Sequence, residues 1–218
     1  MLHLVQTYHE ALVRGLWTTI ELCVGAWILG TVIGALLGFL AIRWPRLVGL
    51  PCRVISVLLG ATPILLALYW LYYPAPQLFG FEPNPWLITM LVLSLYMTFG
   101  VADAVSAALR DFPAQYVAAG RVSGLTKFQI VRHVQAPILV RQILPAYLAM
   151  MLLTLHSSLF GSFITVEEVF RTAQNINSRE YQPIPVYSLV ALVFLVVSLP
   201  LQMSATWFRR AFRDFSER

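Results

Sequence analysis

Charge is what this sequence has least of. Only 11% of its 218 residues are Asp, Glu, Lys or Arg, where an ordinary soluble domain carries about 25%. So thin a supply cannot coat a water-soluble globule, and a soluble fold is excluded on that ground. Cysteine is scarcer still. Cys23 and Cys52 are the only two, with no CxxC spacing, which speaks against both a disulfide framework and a metal centre. The chain also lacks a G-x-x-x-x-G-K-[ST] phosphate loop, an H-E-x-x-H helix and a G-x-S-x-G elbow, so ATP, zinc and acyl-transfer chemistry have no seat in it. His156 stands beside Ser157 and Ser158, but neighbours on one helix point in different directions. An intramembrane enzyme is therefore only a remote alternative, and no catalytic residue is assigned.

What the chain has instead is apolar sequence in long blocks. Its hydrophobic content is 59% and its mean hydropathy +0.74. Five blocks, at about 16–42, 54–73, 86–109, 143–164 and 186–207, each approach the roughly 17–25 residues that cross a bilayer as a helix. Lipid offers no partner to an open backbone, so an all-α bundle of five transmembrane helices is predicted, forming a single domain over 1–218. The segment before the first block, with His3, His9, Glu10 and Arg14, does not read as a signal peptide.

The formal net charge of +5 invites a nucleic-acid partner, and position argues against one. The basic residues sit at the ends of the apolar blocks. One side receives Arg43, Arg46, Arg53, Arg110, Arg121, Lys127, Arg132, Arg141, Arg209, Arg210, Arg213 and Arg218, the other only Arg14, Arg171 and Arg179. The positive-inside rule then predicts an external N-terminus and a cytoplasmic C-terminus, consistent with an odd number of spans. The external loop from Pro74 to Pro85 carries four prolines and no basic residue, and Tyr69, Trp70, Tyr72, Tyr73 and Trp86 flank it as an aromatic belt. Gly30, Gly34 and Gly38 repeat at four-residue spacing, a pattern that lets a second helix approach closely. Packing within the chain is the simpler use of that stripe, a seam with another subunit the alternative. Pro137, Pro145 and Pro200 are expected to end or kink helices.

The internal segment 110–141 is far longer than the two to eight residues that join bundle helices. Thr126 and Gln129 form a capping box. A short helix is expected from Lys127 toward Gln135, stopped by Pro137 and showing Phe128, Ile130, Val131 and Val134 among Lys127 and Arg132. Such a helix suits docking of a cytoplasmic partner or a resting place on lipid headgroups, and the physics alone leaves both open.

These residues carry a resemblance. Segment 110–141 resembles the EAA loop of ATP-binding-cassette importer permeases, whose pattern is E-A-A, three residues, G, nine residues, I-x-L-P. Ala118, Ala119 and Gly120 stand at E-A-A, Gly124 at the glycine, Val134 at the isoleucine, Ala136 at the leucine and Pro137 at the proline. The glutamate is replaced by Ala118. GLWTTIEL from Gly15, LLGATPILL from Leu58, ILPAY from Ile143, LHSS from Leu155 and AQNINSREYQP from Ala173 are similar, in order, to polar amino-acid permeases and most of all to the M-type membrane subunit of histidine and lysine/arginine/ornithine importers.

The resemblance implies a type I importer fold in the bacterial inner membrane. It implies a second, non-identical permease subunit, a periplasmic solute-binding protein and a cytoplasmic ATPase dimer that alone uses ATP and Mg, with no cofactor on this chain. It implies a polar, basic amino acid as substrate, moved by alternating access. It assigns contact with the ATPase to Ala118, Ala119, Gly120, Gly124, Leu125, Thr126, Lys127, Phe128, Val131, Val134 and Pro137. The missing glutamate supports an alternative, a degenerate subunit that stabilises or regulates its sibling.

Intramembrane polar groups are functional candidates by default. Asp103, at the position of the family's usual glutamate, is expected either to pair with a basic side chain of a neighbouring helix or to line the inner part of a translocation path. His156, Ser157 and Ser158 form a polar cluster near mid-depth, suited to interhelical hydrogen bonds or to the path. Glu21 reads as an interfacial carboxylate. Glu167, Glu168 and Arg171 crowd the outer loop, where a binding protein would dock or local ion pairs would be solvated.

Overall fold

The computed structural model describes residues 2–216. The tail arginines of the orientation count, Arg209, Arg210, Arg213 and Arg218, lie outside the residues whose side chains are described. The described residues are helical almost throughout and contain no strand. Helix α1 (Leu2–Arg43) is followed by a π turn (Pro45–Gly49), α2 (Leu50–Ala61), α3 (Ile64–Tyr72) and the short α4 (Pro74–Phe79). Then come α5 (Pro85–Arg110), α6 (Ala114–Val122), α7 (Lys127–Ile130), a second π turn (Val131–Gln135) and α8 (Ala136–Ser157). A 3-10 turn (Ser158–Ile164), α9 (Val169–Glu180) and α10 (Pro183–Ser216) complete the chain.

Four helices are long and apolar enough to cross a membrane: His3–Arg43, Pro85–Arg110, the continuous run Lys127–Ile164, and Pro183–Phe208. A bent pair, Pro45–Ala61 and Ile64–Phe79, supplies a fifth candidate. Its two arms meet at 97°, so the unbroken span expected over 54–73 is corrected. The cause is local. A residue before proline is pushed out of the helical region, and Thr62 before Pro63 is extended at φ −97°, ψ 122°. The freed groups are satisfied on the spot. Thr62 donates its N–H to the carbonyls of Leu58 and Leu59 and its hydroxyl to Leu58, while Tyr96 of α5 donates to the Thr62 carbonyl at 2.7 Å.

The core forms where α1 lies along α5. Built onto Gly30, a Cβ would meet Met97; onto Gly34, the carbonyl of Thr98 and Val101; onto Gly38, the carbonyl of Ala102 at 2.7 Å and Val105 at 2.8 Å. Contacts that rise in step along both helices mean that they run parallel. The glycine stripe is thus spent inside the chain, as its simpler use required. Leu22, Ala26, Ile88, Val92 and Leu93 fill the part of the same seam nearer the start of α5.

Helix α1 also starts well before the expected 16. Leu4, Tyr8 and Leu12 recur every fourth residue and pack on Ala173 and Ile176 of α9 and Val186 and Val190 of α10. One apolar stripe on an otherwise polar segment extends the helix beyond the continuous apolar block. The short helix beginning at Lys127 is corrected in the opposite sense. It does not stop at Pro137 but passes through the π turn Val131–Gln135 into α8, and such a turn relocates the hydrogen bonds that proline would otherwise break. Pro145 and Pro200 lie inside α8 and α10 rather than at their ends.

Candidate functional site

Helices α6 and α7 form a helix–turn–helix at one end of the bundle. Gly120 is buried at their crossing, where an added Cβ would lie 3.0 Å from Ile130. Gly124 takes φ +77°, a left-handed conformation that costs a residue with a Cβ roughly 1–2 kcal/mol. The turn closes through the Gly124 N–H on the Arg121 carbonyl and the Leu125 N–H on the Gly120 carbonyl, both at 3.0 Å. The capping box is present in full. Gln129 N–H donates to Thr126 Oγ1, and Thr126 N–H to Gln129 Oε1 at 2.8 Å.

The predicted contact residues separate by role. Phe128 is 70% exposed and Val131 51%, beside exposed Thr126 and Lys127. Ala118 and Ala119 are exposed on α6. Leu125, Val134 and Pro137 are half-buried, and Ile130 is buried at the crossing. Ile130 therefore leaves the outward apolar face expected of this helix and packs against Gly120 of α6, and Val134 is only partly exposed. Sequence reasoning missed Val122, which at 90% exposed is the most open apolar side chain of the segment. Its signal was an apolar residue two positions before an obligate glycine turn.

The intramembrane candidates also divide. Ser157 is buried, and Ser158 is fully buried with its hydroxyl donating to the Leu155 carbonyl at 2.8 Å. Neither can line a path on the outside of this subunit. Thr154 is buried too, donating to the Met150 carbonyl at 2.9 Å. His156 alone is exposed. Asp103 is exposed toward the C-terminal end of α5 and accepts a hydrogen bond from Ser56 of α2. Of the two roles expected for it, pairing with a basic side chain is not seen among the described residues, where Ser56 is its partner. Asp103, Arg53 and Arg110 line one cleft of about 460 Å³ between α1, α2 and α5.

At the end of the bundle where α1 begins, Glu168 is corrected from a docking charge to a structural one. It is fully buried and caps α9, accepting from the N–H groups of Phe170 at 2.8 Å and Arg171 at 2.7 Å. Burial pushes its carboxyl up to about 7, against the pull of those two donors. Glu167 is exposed and accepts from Asn175 at 3.3 Å. Arg171 is half-buried, with an Nε that has no hydrogen-bond partner. Tyr8 donates to Glu180 at 2.6 Å, tying the start of α1 to the end of α9. Beside this tie, Arg14, Arg179 and Glu167 line a second cleft of about 310 Å³.

Residues 30–214 match the family model described as the binding-protein-dependent transport system inner membrane component. The chain is 26% identical to the histidine/lysine/arginine/ornithine transport system permease protein HisM of Salmonella typhimurium, covering 98% of this chain and 96% of the relative. It is 25% identical to the nopaline transport system permease protein NocM of Agrobacterium fabrum, covering 87% and 84%. Among solved structures, an amino acid ABC transporter with histidines superposes at a TM-score of 0.82 over 96% of this chain and 97% of that one, at 23% identity. Continuous apolar helices, one of them broken, and a helix–turn–helix at one end of the bundle are accounted for together by one assignment: the chain belongs to the inner-membrane components of binding-protein-dependent transport systems, and it is a transport subunit rather than an enzyme.

Proposed function

We propose that this chain is one of two permease subunits in an ATP-driven importer of polar, basic amino acids, working by alternating access. The relatives that carry histidine, lysine, arginine, ornithine and nopaline support the substrate class. In this reading a non-identical sibling permease shares the path, a periplasmic binding protein delivers the amino acid, and a cytoplasmic ATPase dimer holds ATP and Mg. The imbalance of basic residues supports an N-terminus in the periplasm and a C-terminus in the cytoplasm.

The observation that carries the reading is the α6–α7 unit. A glycine crossing, a left-handed glycine turn and a reciprocal cap make it rigid. Its exposed Val122, Phe128 and Val131, with Lys127 beside them, form an apolar face of the kind that seats in a groove. A rigid face at the inner end of α5 and α8 passes the ATPase's closure to both helices. ATP binding then opens the outer side, and hydrolysis resets the inward-facing state. His156 points away from the subunit core and is the side chain of α8 that reaches the path. Glu167 and Arg171 receive the binding protein.

Replacing Phe128 by Asp tests the coupling. A charge in an apolar groove costs several kcal/mol or expels the helix. The expected result is a complex that assembles in the membrane and hydrolyses ATP, but whose uptake falls by at least roughly tenfold. Unchanged uptake refutes the coupling role. A second reading, a subunit that mainly supports its sibling, is favoured by one observation: Ala118 stands exposed on α6 without a carboxylate to reach the ATPase. That reading requires uptake to survive Phe128→Asp, so the same experiment separates the two.

A further inference from the structure

The cleft between the inner ends of α1, α2 and α5 holds opposite charges apart. Asp103 uses Oδ2 to accept from Ser56, and its Oδ1 has no hydrogen-bond partner among the described residues. Arg53 from α2 and Arg110 from the last turn of α5 line the same space. Neither arginine reaches a carboxylate within ion-pair distance among the described residues. A structural salt bridge would close that gap, as long arginine side chains readily do. Here Ala41, Val57 and Ala102 form the walls between the charged side chains, and the cleft holds about 460 Å³ of space. Pockets of small ligands have this size, about 300–1,000 Å³, and this one is as polar as it is apolar, with Arg53, Asp103 and Arg110 supplying its charges.

From this we propose that the cleft binds a zwitterion. Its ammonium group donates to Asp103 Oδ1, and its anionic end takes the forked donors of Arg53 and Arg110. Ser56 holds the carboxylate in place, so Asp103 meets the ligand without first giving up a partner. Two sources carry this chemistry at the inner membrane surface. One is an α-amino acid leaving the path, which rests on the reading proposed above; the other is the phosphoethanolamine head of a membrane lipid. A ligand with only one charge leaves half of the cleft unanswered.

The test uses the whole transporter complex in lipid nanodiscs. Ser106 lines the cleft, so Ser106→Cys, with Cys23→Ser and Cys52→Ser, reports its occupancy through the rate of maleimide labelling on this chain. In phosphatidylglycerol discs, arginine or histidine is added; in a separate arm, phosphatidylethanolamine replaces the phosphatidylglycerol. Slower labelling in the first arm identifies the amino acid, and in the second the lipid head. Asp103→Asn preserves volume and the Ser56 contact, and with Arg53→Ala it is expected to weaken protection by roughly tenfold or more, the effect of losing a charged hydrogen bond. Protection in neither arm, or protection untouched by both variants, overturns the proposal. Amino-acid uptake is measured on the same preparations: intact uptake without protection removes the cleft site alone, and lipid protection without uptake removes the transport reading alone.

Discussion

A carboxylate that caps a helix from inside the protein brings a pH dependence with it. Glu168 is ionised in an unfolded chain above its ordinary value of 4.5, and in the folded subunit only above about 7. Between those values the native state binds the extra proton, so stability falls as pH rises through that window and levels off beyond it. The full effect is about 3 kcal/mol. The melting temperature of the purified complex is therefore expected to drop between pH 5 and pH 8, and Glu168→Gln, which keeps an acceptor for the α9 amides, is expected to flatten that slope. An unchanged slope in the glutamine variant would place its origin elsewhere. In the sequence Glu168 is indistinguishable from Glu167, because burial here depends on α1 arriving beside α9. Gly15 marks that approach: a Cβ there would lie 3.0 Å from the Val169 Cα. The same limit applies to Ser157 and Ser158, whose types were legible as a polar cluster while their inward direction was not.

Two glycines in helices give opposite expectations. A Cβ at Gly34 would overlap the carbonyl of Thr98, whereas one at Gly60 meets nothing. Gly34→Ala must push α1 off α5, costing about 1–3 kcal/mol as overpacking does. Gly60→Ala gains up to about 1 kcal/mol of helix propensity. Thermal unfolding of the two variants in detergent should shift in opposite directions, and equal shifts would contradict the packing described for α1 and α5. At this scale the sequence was most informative where one local rule governed. The capping box and the apolar blocks follow from short-range chemistry, and the glycine of the α6–α7 turn was marked by the family resemblance. The break at Thr62 was signalled by Pro63 but hidden inside a run apolar enough to pass for one span. The early part of α1 was hidden for a different reason: its Leu4, Tyr8 and Leu12 stripe is apolar only on one face, and the partner face on α9 lies some 160 residues away.

For the whole molecule, the sidedness proposed from the basic residues makes a direct prediction. Val122→Cys should react with a membrane-impermeant maleimide only in inside-out vesicles, and Glu82→Cys, on the opposite side in this topology, only in intact spheroplasts. Both positions are exposed, so a failure to label is not a matter of burial. The reverse pattern would invert the importer and with it the coupling segment. Fold and family were readable over the whole length because every apolar block is long and the loops fall in register. What the cleft holds was not, since Arg53 comes to face the cleft of Asp103 and Arg110 only when α2 folds back along α5.

The seam of glycines has one more consequence. With its 42 residues, α1 is about 60 Å long at 1.5 Å per residue, and it is clamped to α5 over its C-terminal half. Helix α5 leads straight into α6. A tilt imposed at α6 therefore swings the far tip of α1 by roughly 1 Å per degree, and that tip is tied to α9 through Tyr8 and Glu180. The chain is built as a lever, and α9 rides on its long arm.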